Sequence, residues 1–147
     1  MNQEQWVDVI NTDLTSVFYM TRMVVNDMLA NGYGRIINIS SVNGEKGQFG
    51  QANYSAAKAG MHGFTKAVAQ EVASKGVTVN TISPGYIATP MIMEVPEEIR
   101  EGIRKNIPVG RFGKPEDIAR VVSFLAHEDA SFITGTNVSA NGGQYMH

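Results

Sequence analysis

Helix-like and strand-like segments alternate along this chain, and that alternation restricts its fold more than any other feature. Three segments have helical spacing of apolar or alanine residues, and a short strand-like run follows each. The helical segments are Gln3–Asn31, Asn53–Ser74 and Lys114–Ala126. The strand-like runs are Arg35–Ser40, Val77–Ser83 and Thr136–Ala140. A repeated helix–strand order predicts parallel strands joined by right-handed helical crossovers, so we expect an α/β protein.

The connecting segments carry turn and breaker residues. Gly32 and Gly76 predict the ends of the first two helices. Val42–Gln51 contains three glycines and predicts a loop, whereas Pro96–Asn106 predicts a short amphipathic helix. Nothing between these segments resembles a linker or a repeat, so we expect residues 1–147 to belong to one domain.

Composition excludes several classes of function. The net charge of −2, without a block of Lys or Arg, argues against a nucleic-acid partner. No apolar stretch approaches the ~18 residues that a membrane helix needs, so no membrane partner is expected. The absence of cysteine excludes disulfides and thiolate metal sites, and it fits a cytoplasmic protein. We therefore expect a globular cytoplasmic protein that binds no metal.

Three residues form a pattern suited to proton transfer. Tyr54 and Lys58 lie four residues apart near the start of the second helix, which places both side chains on one face. A lysine ammonium about 4 Å from a phenol, at an effective dielectric constant of about 20, favours the phenolate by roughly 4 kcal/mol. Such a phenol is a general acid near neutral pH. Ser41 follows the first strand, at the sheet edge where open α/β sheets place active groups, and its hydroxyl would hold a carbonyl oxygen.

With these residues in their context, the chain resembles the short-chain dehydrogenase/reductase family, in particular its acetoacetyl-CoA reductases and 3-oxoacyl-[acyl-carrier-protein] reductases. The resemblance extends over the whole chain. It rests on the segments 34–44, 47–60, 79–87 and 141–143. It implies a Rossmann-like, doubly wound parallel sheet, of which this chain would supply the C-terminal half, about three strands with long covering helices. The implied activity is NADPH-dependent reduction of a 3-oxoacyl thioester, carried by CoA or acyl carrier protein, to the 3-hydroxyacyl thioester.

The resemblance also implies roles for single residues. Tyr54 would be the catalytic acid, Lys58 would activate it and hold the ribose of NADP, and Ser41 would position the carbonyl. The residues implied to line the nicotinamide are Pro84, Gly85, Ile87 and Thr89. Those implied to border the acyl substrate are Gln48, Phe49, Gln51 and Tyr86. A homo-oligomer assembled through the two long helices is implied as well.

Two departures from the family pattern stand out. Asp13 occupies the position where the family has a catalytic asparagine, so a carboxylate that only accepts hydrogen bonds replaces an amide, and the proton relay beyond Lys58 would change. No glycine-rich pyrophosphate turn occurs in the 147 residues. We therefore expect the dinucleotide-binding N-terminal half to be absent from this chain and the first strand, Arg35–Ser40, to present an unpaired edge.

These departures leave alternatives open. The chain would be part of a longer reductase, one half of a split reductase, or an oligomer that covers its own open surfaces. A catalytically inactive oligomerisation or interaction module is the main alternative to an enzyme, supported by Asp13 and the missing cofactor half. A hydrolase or lyase that uses Ser41 and Tyr54 without a cofactor is disfavoured, because the sequence has no activated-nucleophile motif such as GxSxG.

Overall fold

The three predicted strands form one parallel sheet in a computed structural model that describes residues 1–146. The strands are β1 (Gly34–Ile39), β2 (Val77–Pro84) and β3 (Asn137–Ala140), in the order β1-β2-β3. Ile36 is opposite Val79, and Ile82 is opposite Val138. Parallel pairing confirms the α/β class predicted from the alternation. Within the described residues no strand pairs with the outer edge of β1, as the sequence predicted.

In residues 1–146, seven α-helices surround and connect the strands. They are α1 (Gln3–Ile10), α2 (Ser16–Asn31), α3 (Val42–Lys46), α4 (Ala52–Val72), α5 (Pro90–Met93), α6 (Glu97–Lys105) and α7 (Pro115–Ala126). Gly32 and Gly76 end two helical segments in the left-handed conformation, with φ values of 64° and 77°. The predicted stop signals are therefore confirmed. Short 3₁₀ segments over Ala73–Lys75 and Glu128–Phe132 complete the helical structure.

The first predicted helix is not regular throughout, because a π-helical turn, Asn11–Thr15, separates α1 from α2. The Thr15 hydroxyl donates to the Ile10 carbonyl, 3.3 Å away, across this wide turn. The turn packs closely on α4: a Cβ placed on Gly60 would lie 2.8 Å from Cδ2 of Leu14. Over five residues the apolar pattern does not distinguish a π-turn from an α-helix, so the sequence predicted an uninterrupted helix.

The prediction of a loop over Val42–Gln51 was wrong for its first half, where α3 forms. Ser41 caps this helix with its side chain, and Gly47 ends it with φ of 72°. The three glycines that suggested a loop occupy structurally different positions. Gly44 lies inside α3 against the backbone of α4, whereas Gly47 and Gly50 have positive φ. Helix α5 also went unpredicted, since four residues are too short for a periodic signal.

The two faces of the sheet carry different helices. A core cluster joins Ile36 of β1 and Val77 and Val79 of β2 to Ala69 and Val72 of α4, with apolar residues of α2 packed around it. Arg35, the neighbour of Ile36, lies on the opposite face, where its guanidinium donates to the carbonyls of His127 and Glu128. Helix α7 packs on all three strands. None of the helices in residues 1–146 is both long enough and apolar enough to cross a bilayer.

A buried polar triad ties α4 to the sheet below the candidate site. The Thr65 hydroxyl accepts hydrogen bonds from the Asn38 amide at 2.8 Å and from the Thr81 hydroxyl at 2.9 Å. All three side chains are buried. Because buried donors need acceptors, this triad fixes α4 in one position relative to β1 and β2.

Replacing Thr65 by valine is expected to lower the free energy of unfolding by about 2 kcal/mol. The change keeps the volume but leaves the Asn38 and Thr81 donors without their acceptor. Urea unfolding followed by circular dichroism measures this loss. Thr65→Ser keeps the hydroxyl and serves as the control, and equal stability of the two variants would contradict the assigned role.

Candidate active site

Ser41 lies where the sequence placed it, just beyond the carboxyl end of β1. Its backbone is extended, with φ of −160° and ψ of 153°, and its side chain caps α3. The Ser41 hydroxyl oxygen accepts from the backbone N–H of Asn43 at 3.1 Å. Because the cap uses the oxygen as an acceptor, the hydroxyl proton remains free to donate to a substrate oxygen.

Tyr54 occupies the first turn of α4, and Lys58 follows one turn later on the same face. The Lys58 ammonium lies 5.5 Å from the centroid of the Tyr54 ring. The start of α4 is held from two sides: the Asn53 side chain accepts from the backbone N–H of Tyr54 at 2.9 Å and donates to the carbonyl of Gln5 at 3.0 Å. The predicted proximity of a phenol and an ammonium is therefore present.

Lys58 has two further partners that fix its ammonium group. It donates to the carbonyl of Ile39, the last residue of β1, at 3.2 Å, and it pairs with the carboxylate of Asp13 at 3.2 Å. The side chains of Lys58 and Asp13 are only 12% and 27% exposed, so solvent screens this pair weakly. The π-helical turn thus places the Asp13 carboxylate beside Lys58. The sequence predicted that Asp13 would alter the proton relay beyond this lysine, and that effect stays a prediction.

A cavity of about 570 Å³ opens between the ends of β1 and β2 and the start of α4. The site residues predicted from the sequence that line it are Ser41, Gln51, Tyr54, Gly85, Tyr86, Ile87 and Thr89. Four of these residues carry a hydroxyl group, and Ser41 and Tyr54 among them come from two different elements of the fold. Its volume suits a substrate of moderate size together with part of a cofactor.

Five predicted site residues do not line this cavity. Lys58 and Asp13 line a neighbouring groove of about 440 Å³ between α2 and the free edge of β1. Gln48 accepts from the Lys46 ammonium at 2.9 Å, and the Phe49 side chain is 100% exposed; neither lines the cavity of Ser41 and Tyr54. Pro84, the last residue of β2, is also not among the lining residues. The substrate roles of Gln48 and Phe49 and the cofactor role of Pro84 stay predictions.

Sequence reasoning missed part of the cavity wall. Asn43, Met91 and Ile92 line it together with Ser41 and Tyr54. The Asn43 amide donates to the Gln51 side chain at 3.0 Å, which holds that glutamine at the cavity. The methionine-rich run from Met91 to Met93 was the available signal, because adaptable apolar side chains are frequent at binding surfaces.

The residues of this region fit the nicotinamide end of a dinucleotide. Gly85 packs tightly, since a Cβ on it would lie 2.8 Å from Cα of Asn141, and its N–H donates to the Ala140 carbonyl. Ile87 pairs with Gly113 in an isolated bridge, which fixes the wall that ends at Thr89. The wall formed by Gly85, Ile87 and Thr89, in the cavity that Tyr54 also lines, suits a flat aromatic ring. The described residues contain no glycine-rich turn for the pyrophosphate.

Comparison with known proteins identifies reductases that are similar to this chain over its whole length. A family model described as enoyl-(acyl carrier protein) reductase matches residues 1–145. The chain is 58% identical to an acetoacetyl-CoA reductase of Allochromatium vinosum, covering 100% of this chain and 60% of that protein. It is 61% identical to an acetoacetyl-CoA reductase of Rhizobium meliloti, covering 99% of this chain and 61% of the relative.

The chain is also similar to reductases whose names specify acyl carrier protein instead of CoA. The chain is 49% identical to a 3-oxoacyl-[acyl-carrier-protein] reductase of Haemophilus influenzae, covering 99% of this chain and 60% of that protein. The chain thus spans about three fifths of the length of the relatives that it matches. The family match, the parallel α/β fold and the grouping of Ser41, Tyr54 and Lys58 agree with one another, and the chain belongs to the short-chain dehydrogenase/reductase family.

Proposed function

We propose that this chain forms the catalytic part of an NADPH-dependent reductase that converts a 3-oxoacyl thioester, such as acetoacetyl-CoA, into the 3-hydroxyacyl thioester. The observation that carries the proposal is the single cavity lined by the Ser41 and Tyr54 hydroxyls, with the Lys58 ammonium 5.5 Å from the Tyr54 ring. The names of its relatives, acetoacetyl-CoA reductase and 3-oxoacyl-[acyl-carrier-protein] reductase, support this substrate class.

In the proposed reaction, Ser41 and Tyr54 both act on the ketone oxygen. The Ser41 hydroxyl donates a hydrogen bond to that oxygen, because its own oxygen already serves the cap of α3. Tyr54 delivers a proton to the same oxygen as negative charge develops there. The Lys58 ammonium stabilises the resulting phenolate, and Asp13 with the Ile39 carbonyl keeps the ammonium in place.

NADPH would supply the hydride that reaches the carbonyl carbon. Tyr54, Lys58, Pro84, Gly85, Ile87 and Thr89 would hold its nicotinamide and ribose. We favour NADP over NAD because the relatives are named as reductases, which indicates that the reaction runs towards the hydroxyacyl product. The pyrophosphate and the adenosine would need residues outside this chain, because the sequence has no glycine-rich turn. We therefore propose that residues 1–147 are the C-terminal, catalytic part of a cytoplasmic reductase domain.

Reduction of a carbonyl is favoured over reduction of a carbon–carbon double bond, although the family description names an enoyl reductase. The hydroxyl groups of Ser41 and Tyr54 at one cavity suit an oxygen that gains negative charge. The names of the relatives, acetoacetyl-CoA reductase and 3-oxoacyl-[acyl-carrier-protein] reductase, favour a ketone as the group that is reduced.

The proposal is tested by following NADPH oxidation in the presence of acetoacetyl-CoA. Two proteins are compared: the 147-residue chain, and the same chain preceded by the part of the Rhizobium meliloti relative that it does not cover. We expect turnover from the fusion and at most traces from the chain alone, because most of the cofactor contacts are missing. Crotonyl-CoA is the control for enoyl reduction. A folded fusion that reduces neither compound would contradict the proposal.

A catalytically inactive interaction module is the second candidate, and the free edge of β1 favours it. Ile39 on that edge is 44% exposed, and the adjoining groove is lined mostly by apolar residues of α2 and β1. An unpaired parallel strand is a ready site for another strand. This candidate predicts that the folded fusion is inactive towards every 3-oxoacyl thioester, so the same assay distinguishes the two functions.

We also propose that the protein self-associates through its two long helical segments, α1–α2 and α4. Large apolar side chains on the first segment are exposed: Trp6, Val7, Phe18, Tyr19, Met20 and Met23. Light scattering is expected to give a multiple of the 16.0 kDa chain mass, and Met23→Glu is expected to reduce it. Met93→Glu, which changes an exposed methionine of α5, is the control. A monomer before substitution would contradict the assignment.

A further inference from the structure

A chain of hydrogen-bonded polar side chains runs from α4 through the sheet to α3, outside the cavity of the candidate site. It begins at His62 of α4, whose Nε2 lies 2.9 Å from the Ser40 hydroxyl and 3.3 Å from the Ser83 hydroxyl. Ser83 contacts Asn137 of β3 at 2.9 Å, and Asn137 contacts Glu45 of α3 at 2.8 Å. The hydroxyl of Ser139 also donates to Glu45.

The donor and acceptor groups of these side chains determine which atom donates in each hydrogen bond of the series. A carboxylate only accepts, so the Asn137 amide nitrogen faces Glu45, and the Asn137 oxygen must accept the proton of Ser83. The Ser40 hydroxyl likewise donates, because its partner at 2.9 Å is the backbone carbonyl of Lys58.

Both hydroxyl protons are thereby committed, which fixes the tautomer of the histidine. Neither hydroxyl has a proton left for its contact with Nε2 of His62. Nε2 must therefore be the donor in both contacts, so it carries a hydrogen. The neutral ring then donates to both hydroxyls at once. The bonds through Ser83 and Asn137 run from His62 towards Glu45, and the bond of Ser40 runs to the Lys58 carbonyl.

This series of hydrogen-bonded side chains joins the elements that carry the proposed catalytic groups. Ser40 precedes Ser41, and Ser83 lies two residues before Gly85 of the cavity wall. Glu45 lies in the helix that Ser41 caps. Ser40 also bonds to the carbonyl of Lys58 itself. Ser40 and Ser83 are 4% and 0% exposed, so water cannot replace these bonds without opening the sheet.

We propose that His62 is a positioning residue. Its neutral ring connects α4 to the ends of β1 and β2 through two hydrogen bonds, here called the tie. The tie keeps Lys58 and Tyr54 at fixed positions relative to Ser41. The inference rests on the proposed function only for the roles of those three residues. The tie itself is a property of the fold.

Protonation would work against this tie. Burial is the main cause that lowers the pKa of His62 from 6.5, and Lys66 lowers it further, whereas the carboxylate of Glu45 raises it. Lys58 lies one turn away on the same helix, and the strands contribute only the neutral Ser40, Ser83 and Asn137. A charged ring would gain by turning towards solvent, because the ring is only half-buried, and would then lose both hydroxyl contacts.

The sign of the linkage follows from the direction of the shift. Because the folded protein binds this proton less tightly than the unfolded chain does, the contribution of His62 to stability is complete above about pH 6.5. It is lost as the pH falls from there through the lower pKa of the folded state. Acidification should therefore loosen the site before the protein unfolds.

Nuclear magnetic resonance of the 147-residue chain tests the tie without any need for activity. The ¹⁵N shifts of the His62 ring are expected to show the Nε2–H tautomer at pH 8. As His62 titrates, the backbone amides of Ser41, Tyr54 and Gly85 are expected to shift with the same midpoint. His62→Gln keeps an N–H donor but cannot titrate, so these coupled shifts should vanish in it. Substitution of the exposed His127 by glutamine is the control and should leave them unchanged.

Enzyme activity supplies a second measurement. It is made on the 147-residue chain or on its fusion with the Rhizobium meliloti segment, whichever reduces acetoacetyl-CoA. At pH 7.5, His62→Gln is expected to keep kcat within about twofold, whereas His62→Leu should lose about tenfold or more. The acid limb of the pH profile should weaken in His62→Gln. An Nδ1–H tautomer, or coupled shifts that persist in His62→Gln, would overturn the inference. Absence of reductase activity with the coupled shifts intact would refute the proposed function and leave the tie established.

Discussion

Replacement of Tyr54 by phenylalanine is expected to reduce the rate of acetoacetyl-CoA reduction by about 10³-fold or more, in the fusion that completes the cofactor site. Positioned general acids typically contribute between about 10² and 10⁴ in rate. Tyr54 and Tyr86 both line the cavity with Ser41, and Tyr54 is the one with the Lys58 ammonium 5.5 Å from its ring. The substitution removes one oxygen that faces this cavity and leaves the helix unchanged. The free energy of unfolding should therefore change by less than about 0.5 kcal/mol.

Two comparisons make this result specific. Tyr33→Phe changes a tyrosine at the far end of β1, whose hydroxyl contacts the Ala126 carbonyl at 3.4 Å, and should keep full activity. Ser41→Ala should lose about 10²-fold, since one hydrogen bond to the developing oxyanion disappears but the proton donor remains. A Tyr54→Phe enzyme within about tenfold of the parent rate would contradict the assignment of Tyr54 as the acid.

The sheet could be predicted because its signals are local and strong. The β-branched run of β2 and the glycines that end two of the helical segments each determine a short stretch by their own chemistry. Parallel pairing then follows from the helix–strand order, and the structure confirms it.

The central part of the site was predictable for a similar reason. Tyr54 and Lys58 are one turn apart in a helix, and Ser41 follows a strand, so their placement needed only secondary structure. The contact of Lys58 with Asp13 was harder, because it depends on a π-helical turn that packs against Gly60 of a different helix. The sequence identified Asp13 as unusual but did not give its partner.

The polar chain below the site was not predictable from spacing at all. His62, Ser83, Asn137 and Glu45 come from four elements, and they meet only after the sheet and two helices have packed. Each side chain alone looks like an ordinary polar residue of a helix or strand. Long-range contacts of this kind have no local sequence signal, so they require the tertiary structure.

Substitution of Gly44 by alanine is expected to lower the free energy of unfolding by about 1–3 kcal/mol and to reduce activity at least tenfold. Inside a helix this change normally stabilises, because glycine is a poor helix former. Here a Cβ would lie 2.8 Å from the carbonyl carbon of Lys58 and 3.0 Å from the backbone nitrogen of Ala59. Backbone atoms of α4 cannot give way as a flexible side chain can, so α3 must move.

Movement of α3 would reach the site directly, because this helix begins at the Ser41 cap and carries Glu45. The matched control is Gly63→Ala in α4, where an added Cβ meets no atom within 4 Å. That variant should gain about 0.5–1 kcal/mol and keep its activity, since only the helix propensity changes. Urea unfolding and the NADPH assay on both variants separate the two effects. If Gly44→Ala proved as stable and as active as Gly63→Ala, close contact between α3 and α4 would not be what positions Ser41.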